Sequence, residues 1–146
     1  MKSPALSSET VHASTVSIGG RAVLIAGRSG SGKSDLALRL IDRGAALVSD
    51  DYTLVRRAGG RLLAAPPDTI AGKIELRGVG IVELAHERDV PVALYVDLDR
   101  RPDRLPDAGD QRLVAGIRLP AIGLAPFESS APLKVEAALR HIGLAD

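Results

Sequence analysis

Residues 27–34, GRSGSGKS, carry the densest chemistry in the chain. Gly27, Gly32, Lys33 and Ser34 fall on the fixed positions of a Walker A loop, with a mostly apolar run before them and a helical pattern after. Glycines at 27, 30 and 32 let the segment Gly27, Arg28, Ser29, Gly30, Ser31, Gly32 curl so that successive N–H groups face phosphate oxygens. The N-terminus of the following helix adds partial positive charge. Lys33 has the reach for β and γ phosphates, and Ser34 the hydroxyl for Mg²⁺. The chemistry implied is nucleotide binding.

A phosphate loop needs a carboxylate at the end of a neighbouring strand to complete the metal shell. Two places qualify: Asp50-Asp51 after AALVS, and Asp97 or Asp99 after ALYV. The first follows the P-loop helix directly; the second has the more apolar lead-in. Adjacent carboxylates on an extended chain face opposite sides, so of Asp50 and Asp51 one can address the metal while the other points elsewhere. A base near a phosphoryl acceptor is what a kinase requires.

The elements that must position these residues are legible from periodicity. TVHASTVSI (10–18) and RAVLIAG (21–27) read as strands joined by the Gly19-Gly20 turn. KSDLALRLIDRG, from Lys33, reads as a helix with Leu36, Leu40 and Ile41 on one stripe and Gly44 as its stop. AALVSDD (45–51) reads as a second buried strand, and YTLVRRAGGRLLAA as a hairpin turning at Gly59-Gly60 and ended by Pro66-Pro67. IAGKIELRGVGIVEL reads as irregular, VPVALYVDLD (90–99) as a strong strand and 100–112 as a surface loop. Short extended pieces follow, and APLKVEAALRHIG closes the chain as a helix. Strand, phosphate loop, helix and further strand make a βαβ unit. The expected fold is α/β: a P-loop kinase-like mixed, mainly parallel sheet with flanking helices and β-hairpins. Residues 1–9 are expected to be a flexible N-terminus and 10–146 one domain.

Composition narrows the class. The chain has 146 residues, a formal charge of +1, 45% hydrophobic and 25% charged residues, which is ordinary for a globular domain. The balanced charge and the presence of only three aromatics, Tyr52, Tyr95 and Phe127, argue against nucleic acid. The absence of cysteine excludes disulfides and thiolate chemistry. The start, MKSPALSSETVH, lacks the apolar core of a signal peptide, and no apolar stretch reaches the roughly 18 residues that span a bilayer. A cytoplasmic protein with no membrane contact is expected.

With the P-loop and Asp50-Asp51 placed, the chain resembles the catalytic domain of the HPr kinase/phosphorylase family. RGAALVSDDYTLV is similar to the family's RGHRLVADDxVEI, and APPDTIAGKIELRGVGIVEL to its LEIRGLGIIDV signature. PDRLPDAGDQ resembles its DRLG segment, and His12 lies where the family opens an HGV-like strand. The likeness runs from residue 12 to about 125. The eleven residues before it leave no room for the family's usual N-terminal domain, so a short form is expected. The resemblance implies an ATP- and Mg²⁺-dependent kinase acting on a serine of the phosphocarrier protein HPr, or an HPr-like carrier. It also implies a homo-oligomer, a hexamer in the family.

Residue by residue, the resemblance implies that Ser34 and Glu75 bind Mg²⁺. Asp51 takes the acceptor proton and returns it when inorganic phosphate attacks phosphoserine. Asp50 supports the metal, His12 lies near the acidic pair, and Arg104 approaches the phosphates from a loop. AHERD is shorter than the family's Gly-rich segment, and APFESSAPLKVEAAL lacks the GRN motif tied to phosphorolysis, so the kinase direction is the better supported. Two other readings suit the same P-loop: a small-molecule kinase, with Arg100, Arg101 and Arg104 as a lid, and a non-catalytic ATP-binding regulatory sensor.

Overall fold

The structure, a computed structural model, describes residues 7–106 and 109–145. Of the expected flexible N-terminus, residues 1–6 lie outside the described residues, as do residues 107 and 108 of the expected loop 100–112. Ser8 and Glu9 belong to strand β1 (Ser8–Val11), which is followed by β2 (Ala13–Ile18). The single strand expected over 10–18 is thus two, broken by a bend at His12. Gly19 and Gly20 both take positive φ, 60° and 86°, which the tight two-residue hairpin to β3 (Arg21–Ala26) requires.

Helix α1 (Lys33–Asp42) buries Leu36, Ala37 and Leu40, the i, i+1, i+4 stripe of an amphipathic helix. Each buried Leu stabilises the fold by about 1.5–3 kcal/mol. Gly44, with φ of 112°, stops the helix, and its N–H is satisfied by the Ile41 carbonyl. Strand β4 (Ala46–Ser49) follows, then the hairpin β5 (Thr53–Ala58) and β6 (Arg61–Ala65), turning at Gly59-Gly60 as expected.

After a 3-10 turn at Asp68–Ile70 comes a second hairpin, β7 (Lys73–Leu76) and β8 (Gly80–Glu83), in the segment expected to be irregular. Gly78 and Gly80 supply the positive φ of its turn, 84° and 119°. Strand β9 (Val90–Asp97) is the strong strand expected. Strands β10 (Gln111–Val114) and β11 (Ile117–Gly123) pair as a hairpin, and α2 (Ala131–Ile142) closes the chain with Pro132 in its first turn.

Nine of these strands join one sheet ordered β1-β5-β6-β9-β3-β2-β4, with β11 also beside β9 and β10 outside it. The pairs β3–β9 and β9–β11 are parallel; every other pair in the sheet is antiparallel. The expectation of a mainly parallel sheet is therefore corrected to a mainly antiparallel one with a parallel centre. The cause is β2, which inserts between β3 and β4, so α1 crosses over an antiparallel strand rather than linking parallel neighbours.

The flanking helices also lie together. Both pack on one face, where Val23, Ile25 and Val96 meet Leu36, Leu40, Val135 and Leu139. The opposite face, with Leu24, Val92 and Tyr95, is covered by Val55, Leu62, Val114 and Leu119 of the two long-sheet hairpins, as the sheet curls over itself. Strand β3 is buried on both sides by this arrangement, which fixes the loop that follows it.

Candidate active site

The loop between β3 and α1 is shaped by its glycines. A Cβ on Gly27 would collide with Ser31 and stand 3.2 Å from Leu98 Cβ, so only glycine lets the loop close on itself. Gly30 and Gly32 take φ of 83° and 103°, alternating with non-glycine residues of negative φ, a backbone pattern suited to an anion-binding nest. The Lys33 side chain is 4% exposed, and its Nζ donates to the carbonyls of Gly27 at 2.9 Å and Arg28 at 3.2 Å. Ser31 Oγ is buried with no hydrogen-bond partner among the described residues. The nest of backbone N–H groups beside the held lysine fits a phosphate.

The acidic pair after β4 is built around one tight turn. Tyr52 N–H donates to the Asp50 carbonyl at 2.7 Å, an i to i+2 bond that makes Asp51 the centre of a γ-turn. Asp51 has φ of 67°, a left-handed conformation that costs a non-glycine residue on the order of 1–3 kcal/mol. Ser49 Oγ holds the far side of the turn through the Tyr52 carbonyl at 2.5 Å. The turn sends the two carboxylates in different directions.

Asp50 points inward and is nearly buried. Its Oδ1 accepts from Ser34 Oγ at 2.5 Å and from Ser14 Oγ at 2.9 Å, and its Oδ2 accepts from the Glu75 amide at 3.0 Å. One carboxylate thus ties the P-loop helix, strand β2 and strand β7 together. Asp51 points outward. Its Oδ1 lies 2.9 Å from His12 Nε2 and 3.7 Å from Lys33 Nζ, and half of the side chain is open to solvent. The His12 ring stacks on Tyr52, centroids 4.9 Å apart at 18°. The bend that splits β1 from β2 puts His12 there.

An open cleft of about 450 Å³ joins these groups, a volume suited to a nucleotide-sized ligand. Its lining includes Ser29, Gly30, Gly32, Lys33, Ser34, Asp51 and Glu75. His12 and Asp50 stand immediately behind it through their bonds to Asp51 and Ser34. Arg104 is exposed in the loop after β9 and is not part of the lining.

Among the described residues no three His, Cys, Asp or Glu side chains cluster to hold a metal. Mg²⁺ does not need such a cage, since it takes one or two protein ligands plus phosphate oxygens and water. Ser34 and Glu75, both on the cleft wall and both anchored to Asp50, fit that smaller demand.

Asp97 and Asp99, the alternative strand-end acids, sit on the other flank of the loop. Asp99 Oδ2 accepts from the Arg28 amide at 2.9 Å, and Asp97 is paired with Arg112 at 2.9 Å. Neither lines the cleft. Sequence reasoning missed Ser14, which is completely buried, donates to Asp50 and accepts the Asp51 N–H at 3.0 Å. Its signal was weak, since Ser14 is one of three hydroxyl residues, with Thr15 and Ser17, in a strand that buries all three. It also missed Phe127, whose ring stands against Gly32 at the mouth of the cleft.

Known proteins resemble this chain in sequence and fold. Residues 5–125 match the family described as HPr Serine kinase C-terminal domain. The HPr kinase/phosphorylase of Azoarcus sp. (strain BH72) is 35% identical over 147 aligned residues, which take in 90% of this chain and 47% of that protein. The HPr kinase/phosphorylase of Streptococcus gordonii is 32% identical over 126 residues, 77% of this chain and 40% of that protein. The solved structure of the Hpr(Ser) kinase/phosphatase from Coxiella burnetii superimposes with a TM-score of 0.76 at 30% identity, covering 90% of this chain and 94% of that one. The chain spans less than half the length of these curated relatives. With the match extending over most of its residues, the chain belongs to the HPr serine kinase C-terminal domain family.

Proposed function

We propose that this chain transfers the γ-phosphoryl group of ATP to a serine hydroxyl of HPr or an HPr-like phosphocarrier protein. The observation that carries the reading is the placement of Asp51. Its carboxylate lies 3.7 Å from the P-loop lysine, on the wall of the cleft and within reach of whatever approaches a terminal phosphate there. The names of the relatives give the acceptor class.

In this reading the nest and Lys33 bind the phosphates and offset their charge. Ser34 and Glu75 hold Mg²⁺, which when bound neutralises charge on the transferring group. Asp50 orients both ligands, Ser34 through its hydroxyl and Glu75 through its backbone. Asp51 Oδ1 accepts the proton of the incoming serine hydroxyl, and His12, bonded to the same oxygen, fixes the carboxylate's direction. The same carboxyl, once protonated, is placed to return the proton if inorganic phosphate attacks phosphoserine. Arg104 would approach the phosphates from the exposed loop after β9.

The test is a mass measurement on purified HPr after mixing with this protein, ATP and Mg²⁺. The reading expects one added phosphoryl group on a serine, dependent on Mg²⁺. Unmodified HPr, under conditions where the protein binds nucleotide, overturns it. Release of ADP with a small-molecule acceptor instead would favour the metabolite-kinase reading.

A further inference from the structure

The three parallel strands end level with one another: Ala26 is in register with Asp97, and Asp97 with Gly123. The loops leaving β3, β9 and β11 therefore emerge side by side at one edge, where ligands of parallel sheets collect. The loop after β11 brings Phe127 to the P-loop. A Cβ on Gly32 would lie 2.9 Å from Phe127 Cζ, yet the phenylalanine is 70% exposed. An exposed ring at a cleft mouth needs something to hold it, and Arg39 does so. Its guanidinium, paired with Asp35 at 3.1 Å, donates to the carbonyls on either side of Phe127, those of Pro126 and Glu128.

Lys33 and Asp51 mark the end of the cleft that takes the terminal phosphate, and Gly32 with Phe127 marks another part of its rim. A nucleotide whose phosphates lie in the nest must leave the loop with its base outside it. We infer that Phe127, clamped over Gly32 by Arg39, is the stacking platform for the nucleobase. Leu38 and Val79 line the same cleft and extend its apolar surface. Stacking on an aromatic face tolerates any base, because every base has a π-face. The site therefore takes nucleoside triphosphates as a class rather than the adenine nucleotide alone. This rests on the nucleotide-binding part of the kinase reading and adds its base subsite.

Calorimetric titration with Mg²⁺ present tests it without any acceptor protein. Wild type is expected to bind ATP and GTP with similar affinity. Phe127→Ala should weaken both on the order of ten-fold, a typical loss for one base stack, and leave inorganic tripolyphosphate unchanged. Phe127→Trp should restore both nucleotides. An unchanged ATP affinity in Phe127→Ala overturns the platform alone, as does an equal loss for ATP and tripolyphosphate. A wild-type protein that binds no nucleotide overturns the kinase reading with it. Normal binding losses beside failed transfer to HPr leave the platform standing and discard the kinase.

Discussion

Two pairs of carboxylates flank the phosphate loop, and they differ in what they touch. Asp50-Asp51 and Asp97/Asp99 both follow buried strands, and a search for an apolar strand ending in an acid finds both, the second with the more apolar lead-in. Asp50 is bound by neutral donors, two serine hydroxyls and an amide. Asp51 shares one oxygen with His12 and Lys33 while half open to solvent. By contrast Asp97 is closed by the Arg112 guanidinium and the Asp99 amide, and Asp99 by the Arg28 amide with the Arg28 side chain 3.5 Å away. An acid saturated by a permanently charged arginine holds a loop. An acid bound by hydroxyls, or left with an open oxygen, is available for chemistry.

Substitutions separate the two pairs. Lys33→Ala has the widest expected effect, removing the cation that offsets phosphate charge and leaving its share of the cleft empty. Nucleotide binding measured by calorimetry should fall at least ~10-fold, and transfer with it. Asp51→Asn should lower transfer by about 10²–10⁴-fold, the usual worth of a general base, whereas Asp99→Asn should stay within about ten-fold of wild type. Comparable losses from both would erase the distinction between the pairs.

Ser14→Ala sharpens the comparison within the first pair. Removing the hydroxyl deprives Asp50 of a donor and leaves the Asp51 N–H without its acceptor. Denaturant unfolding should show a loss of about 1–3 kcal/mol, with a fall in transfer larger than any fall in nucleotide affinity. Ser14→Thr, which keeps the hydroxyl, should recover part of both. Unaltered stability and rate would show that the two carboxylates are positioned without it. The corresponding cut on the other side, Arg112→Ala, breaks a half-exposed ion pair with Asp97 and should cost no more than about 1 kcal/mol.

The smallest expected effect is a pH limb belonging to the second pair. Burial raises the Tyr95 phenol above its ordinary value, outweighing the Arg112 guanidinium 4.7 Å over its ring, which lowers it. The folded state therefore keeps a proton that the unfolded state loses first. Stability is full below the ordinary value of about 10 and declines as pH rises through the folded one. Unfolding measured from pH 8 to 11 should fall less steeply in Tyr95→Phe than in wild type, and identical slopes would remove Tyr95 as the cause.

Much of this was written in the sequence. The P-loop and helix α1 were legible because glycine spacing and a 3.6-residue apolar stripe are local signals. Strand orientation was not, since β2 and β4 are buried along most of their length and would read the same whether their neighbours run parallel or antiparallel. Only the pairing through Thr15 and Val16 settles it. The β7–β8 hairpin was hidden because its short strands are broken by Gly78 and Gly80, and Ile81 and Val79 face outward. Within the site, Lys33, Ser34 and Asp51 were found by motif. Ser14 and Phe127 were not, because what makes them matter is a partner 36 residues away in one case and a neighbouring loop in the other.

The central claim is that Asp51 acts on the acceptor and not on the nucleotide. Single-turnover transfer from MgATP to HPr by Asp51→Asn, with MgATP affinity measured on the same sample, tests it most directly. The expected result is affinity within a few-fold of wild type and transfer slowed by ~100-fold or more. Transfer at the wild-type rate, or a loss accounted for entirely by weakened MgATP binding, contradicts it.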